Sequence, residues 1–131
     1  MILQVKIIGI LLIALSLMHL VFPKYFAWKE ELIRLSLMNR QLMYVHTFFI
    51  AFAVLLMGIL CVGSSEDIVQ TALGKRIAFG FSVFWAARLF IQFFGYSSLL
   101  WKGKKFETGV HIFFSFLWLY FTVIFFVVWL K

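Results

Sequence analysis

Arg88 sits near the middle of a long apolar run, whereas all five carboxylates, Glu30, Glu31, Glu66, Asp67 and Glu107, fall in or beside the connections between such runs. A charge held inside a bilayer is costly, and it marks a ligand site, a polar pathway or a buried network. The three histidines, His19, His46 and His111, are predicted to share one depth. The helical rise puts each of them roughly 6–9 Å inside the same membrane boundary. Gln92 follows at roughly 10 Å and Arg88 at roughly 16 Å, so the polar groups form a funnel entered from one side.

Several chemistries fit such a set. Three imidazoles can bind a transition metal and leave one coordination position open for water or substrate. Two imidazoles on facing helices can instead clamp the iron of haem b, with Arg88 or a connection lysine neutralising a propionate. A third use needs no metal. Arg88, Gln92 and a histidine can hold the head of a fatty acid, a lipid phosphate or another lipophilic anion, because guanidinium is always charged and matches carboxylate and phosphate geometry. Ser16, Trp85, Tyr96 and Ser115 are expected to line the pocket in each case.

The bland account stands beside these. A histidine within a span often serves only as a hydrogen-bonded packing residue, and an arginine can be satisfied by carbonyls, Gln92 or serines. No metal motif such as His-Glu-x-x-His is present. The leading expectation is a metal- or haem-binding membrane protein, an oxidoreductase among its outcomes. A binder or transporter of a lipophilic anion through Arg88 is the alternative. A structural or accessory subunit of a membrane complex is the third.

These residues need elements to position them. Of the 131 residues, 65% are hydrophobic and 21% aromatic, which leaves too little polar surface for a soluble domain. A helix crosses a bilayer with about 20 apolar residues, and such stretches fall at about 2–22, 40–62, 75–99 and 107–130. The expectation is an all-α polytopic protein, one membrane domain over 1–131, folded as an antiparallel bundle of four transmembrane helices. The first stretch lacks a strongly basic start and a small-x-small cleavage site, so it reads as a retained helix and not a signal peptide. Cys61 is the only cysteine and cannot form an internal disulfide.

Pro23 is expected to close the first helix. From 24 to 38 the chain is too charged to span, and Tyr25, Trp28, Leu32 and Leu35 recur at helical spacing opposite Lys29, Glu30 and Arg34. This predicts a short helix lying at the interface between helices 1 and 2, with an extension of the second helix into water as the alternative. Gly63-Ser64-Ser65-Glu66-Asp67 is a helix-start signal and predicts a helical turn before the third span. Trp101 to Lys105 reads as a tight basic turn.

The net charge of +7 follows the connections and does not point to nucleic acid. Lys24, Lys29, Arg34 and Arg40 mark the first connection, and Lys102, Lys104 and Lys105 the third. Opposite them stand Lys6, Lys75, Arg76 and Lys131. The positive-inside rule then makes connections 1–2 and 3–4 cytoplasmic and both termini outside, in a prokaryotic plasma (inner) membrane. The remaining charge suits anionic headgroups. Tryptophans at 28, 101 and 129 fit interface anchors. Abundant Phe and Trp on outward faces leave room for a homodimer or a membrane partner subunit.

Each helix concentrates its polar residues on one stripe at spacings of three and four. Helix 1 has Gly9, Ser16, His19 and Pro23; helix 2 has Asn39, Met43, His46, Ile50, Ala53 and Met57. Helix 3 has Trp85, Arg88, Gln92 and Tyr96; helix 4 has Thr108, His111, Ser115, Trp118 and Thr122. Such faces are expected to turn inward. Val45-His46-Thr47-Phe48-Phe49 and Val110-His111-Ile112-Phe113-Phe114 also suggest a duplicated hairpin, which would set His46 opposite His111.

Overall fold

The computed structural model describes residues 1–25, 27–95 and 105–131, and every element among them is helical. Helix α1 covers Ile2–His19, α2 Phe22–Tyr25, α3 Trp28–Glu31, a 3-10 turn Leu32–Arg34, α4 Leu37–Gly63, α5 Ser65–Gln70, α6 Ala72–Phe94 and α7 Lys105–Leu130. Four of these helices, α1, α4, α6 and α7, are long and apolar enough to cross a membrane. Their bounds lie close to the four expected stretches. Tyr96 and residues 101–104 of the expected basic turn lie outside the described residues, and Lys105, expected to end that turn, begins α7.

The chain divides into two compact units, one of residues 5–65 and one of residues 1–4 with 66–131. In the first unit α1 and α4 run antiparallel: Gly9 and Ile13 lie against Gly58, and further along α1 Ser16 meets Ala51. The approach at Gly58 is close enough that a Cβ there would stand 2.8 Å from the Gly9 carbonyl oxygen. Membrane helices associate through such packing because lipid tails and side chains are equally apolar. Ser16 adds a buried hydrogen bond, its Oγ donating to the Ala51 carbonyl at 2.7 Å.

The same packing decides which face of α4 turns inward. Ala51, Val54, Gly58 and Cys61 are buried. Asn39, Met43, His46, Ile50 and Ala53, expected on the inward stripe, are exposed, and Met57 is only half-buried. Small residues permit a close approach, and no aqueous penalty drives the apolar face under cover.

The segment joining α1 to α4 also departs from expectation. It is not one interfacial helix but a series of single turns, broken at Ala27, which adopts a left-handed φ of 54°. Trp28 is nevertheless buried, its ring edge-on to Tyr44 at 5.6 Å, so the α3 turn folds back over the start of α4. Ser36 caps α4 by accepting from the Asn39 N–H, a standard N-terminal device. Pro23 lies within α2, in its first turn, where a missing N–H does no harm; α1 has already ended at His19.

In the second unit α5 supplies the expected turn before the third span. Thr71 caps α6, its Oγ1 accepting from Gly74 N–H at 2.9 Å. Gly74 is required by proximity, since a Cβ there would meet the Asp67 carbonyl oxygen at 2.0 Å. Helices α6 and α7 form an antiparallel hairpin. Ring contacts pair Phe79 with Trp129, Phe81 with Phe125, and Trp85 with Trp118. Trp85 stacks on Trp118 at 5.0 Å with the planes 9° apart, and Phe121 meets Trp85 edge-on at 5.1 Å. Each such pair adds about 0.5–1.5 kcal/mol beyond the area it buries.

Candidate functional site

The α6–α7 hairpin brings the polar stripes of helices 3 and 4 together. On α6, Trp85, Arg88 and Gln92 follow at spacings of three and four. On α7, Thr108, His111, Ser115, Trp118 and Thr122 do the same, and all of these are buried or half-buried.

Gln92 is the centre of the group and is 5% exposed. Its Oε1 accepts from Arg88 Nη1 at 3.2 Å and from the Trp118 indole Nε1 at 3.3 Å. Its Nε2 faces His111 Nδ1 at 3.0 Å and donates to the His111 carbonyl at 3.3 Å. Arg88 and Trp118 can only donate, so the carboxamide has one allowed orientation. Its nitrogen must therefore face His111, and Nδ1 of that ring must be the acceptor. With Nδ1 accepting, Nε2 is the nitrogen of this ring that carries the proton.

Arg88 is half-buried, and its guanidinium carbon stands 5.1 Å above the Trp118 ring. The negative face of the indole and the Gln92 oxygen both favour the cation. A desolvated cation–π contact contributes about 2 kcal/mol. Trp118 thus orders Arg88 twice, through its ring face and through the shared oxygen of Gln92. Sequence reasoning put Trp118 on the inward stripe but gave it no part in the site. Its spacing of seven from His111 was the available signal.

The neighbouring hydroxyls serve the hairpin. Ser115 Oγ donates to the His111 carbonyl at 2.7 Å and Thr122 Oγ1 to the Trp118 carbonyl at 2.8 Å, both within α7. Ser82 Oγ crosses to the Thr122 carbonyl at 2.9 Å. One donor in this region is left over. Trp85 is 2% exposed, and its indole Nε1 is covered without any acceptor.

The other expected site residues lie in the unit of residues 5–65. His19 Nδ1 is 2.9 Å from the Leu15 carbonyl and His46 Nδ1 is 2.8 Å from the Leu42 carbonyl, each one turn back on its own helix. His19 is half-buried and His46 exposed. Ser16 gives its hydroxyl to Ala51. Among the described residues, no three His, Cys, Asp or Glu side chains are grouped to hold a metal ion. Tyr96 lies outside the described residues.

No protein-family model matches the chain, nor does any curated protein or solved structure.

Proposed function

We propose that this is an integral membrane protein whose third and fourth helices bind the anionic head of an amphipathic molecule, a carboxylate or phosphate carried on an apolar chain. Arg88 is the charge that recognises it. Gln92 and Trp118 hold the guanidinium in place, so little rotamer freedom is lost when a ligand arrives. The observation that carries this reading is a pre-positioned guanidinium three residues along α6 from buried Trp85, whose Nε1 has no acceptor. A buried donor without an acceptor is costly, and a ligand oxygen would relieve it. On this reading the first and third connections face the cytoplasm, and the site lies towards that side.

Thermal denaturation of the detergent-purified protein tests the proposal. A fatty acid and a lysophospholipid phosphate should each be compared with a neutral monoglyceride of equal chain length. Stabilisation by an anionic ligand alone, lost in Arg88→Gln, is the expected result, and the better of the two heads identifies the class. Equal effects of the neutral lipid, or an unchanged response in Arg88→Gln, would sink the reading. An accessory role predicts that outcome.

One observation favours metal or haem b as a second reading. The Leu42 carbonyl at Nδ1 of His46 makes Nδ1 the donor nitrogen of that ring and directs Nε2 to ligation. A visible spectrum and elemental analysis of purified protein decide it. A Soret band or stoichiometric metal, lost in His46→Ala, would support it, and neither signal would end it.

A further inference from the structure

The start of α4 carries a second cluster that the Arg88 site does not use. Arg40 lies in the first turn of α4, one turn after the capping Ser36 and one turn before Tyr44. Residues four apart share a helix face, and on this face Tyr44 meets the buried ring of Trp28. The α3 turn is thereby held over the same end of α4, with Lys29 on it and Arg34 just beyond, both exposed. Arg40 is half-buried, and its Nε is covered without any hydrogen-bond acceptor.

Three physical features coincide here. The start of a helix of 27 residues presents the positive end of its dipole. Trp and Tyr side chains prefer the headgroup level of a bilayer, so the Trp28–Tyr44 pair sets the depth of this end. Cations exceed anions in the segment, with Lys24, Lys29, Arg34 and Arg40 against Glu30 and Glu31.

We propose that this end of α4 binds the phosphate of an anionic phospholipid, with Arg40 as its principal ligand. The phosphate oxygens supply the acceptor that Arg40 Nε lacks, after a change of rotamer that turns the guanidinium fork outward. Lys29 and Arg34 add long-range attraction, and the Trp28–Tyr44 pair packs beside the glycerol backbone. A zwitterionic lipid offers the same phosphate but brings its own cation against these side chains, so it binds more weakly.

The test titrates the full chain in neutral detergent with phosphatidylglycerol or with phosphatidylcholine of identical acyl chains, and reads the thermal midpoint. Phosphatidylglycerol should raise the midpoint and phosphatidylcholine should not, with the difference fading at high salt. Arg40→Gln should weaken the phosphatidylglycerol response about tenfold, the loss of one charge-assisted contact. Arg40→Lys should recover only part of it, because an ammonium lacks the fork. In an Arg88→Gln background the phosphatidylglycerol response that remains should still fall with Arg40→Gln, which separates this site from the one on α6 and α7. Equal responses to both lipids, or a wild-type response indifferent to salt, would overturn the proposal even if the Arg40 variants fail to fold.

Discussion

The Gln92 carboxamide reaches across the α6–α7 hairpin to His111, its Nε2 lying 3.0 Å from Nδ1 of the ring. Because the other end of the amide is engaged by two obligate donors, this contact dictates where the His111 proton resides. His19 and His46 obey the opposite rule, since their Nδ1 atoms face carbonyls.

Nitrogen-15 NMR of histidine-labelled protein at alkaline pH should therefore separate the three rings. His111 is expected as the Nε2–H tautomer, and His19 and His46 as Nδ1–H. Gln92→Glu replaces the donor at Nδ1 with an acceptor, so His111 should switch to the Nδ1–H form. One common tautomer for all three wild-type rings would contradict the Gln92 network.

Gln92→Leu keeps much of the side-chain volume but removes every polar contact of the amide. The Trp118 N–H and the His111 ring then lose a partner inside the hairpin. The expected cost is about 1–3 kcal/mol, read as a lower thermal midpoint in detergent. A midpoint equal to that of the wild type would mean that the network does not hold the hairpin together.

Gly58→Ala should destabilise the α1–α4 pair, because the new Cβ would stand 2.8 Å from a backbone oxygen that cannot step aside. Overpacking of this kind costs about 1–3 kcal/mol. Gly80 is the control, with nothing within 4 Å of its would-be Cβ. Gly80→Ala should equal or slightly exceed the wild type in midpoint. Equal behaviour of the two variants would refute the close approach.

Ser16→Ala and Ser82→Ala each remove one interhelical hydrogen bond to a carbonyl, at Ala51 and Thr122 respectively. Membrane hydrogen bonds of this type average about 0.6 kcal/mol. Both variants should fold with a small loss of stability, measurable by chemical denaturation in mixed micelles. A loss several times larger in Ser16→Ala would show that Ser16 has a further role.

Much of the polar face on helices 3 and 4 was legible before any coordinates. Arg88 and Gln92 are four apart, and His111 and Trp118 seven apart, so helical geometry alone puts each pair on one face. What the spacing could not supply was the register between the helices. That register sets Gln92 against His111 and Trp118, and it leaves Trp85 Nε1 covered without an acceptor. The helix-2 stripe misled for a related reason. His46 and Asn39 looked like the inward face, yet Ala51 and Gly58 occupy it, because between helices in lipid the closeness of packing outweighs polarity.

Length and apolarity, counted along the chain, suffice to specify four helices able to cross a bilayer, since a membrane demands long runs whose backbone groups bond internally. The break at Ala27, the Gly9–Gly58 approach and the Gln92 hub belong to the fold. They depend on which surfaces meet, and contacts between residues distant along the chain arise only when helices dock in one register.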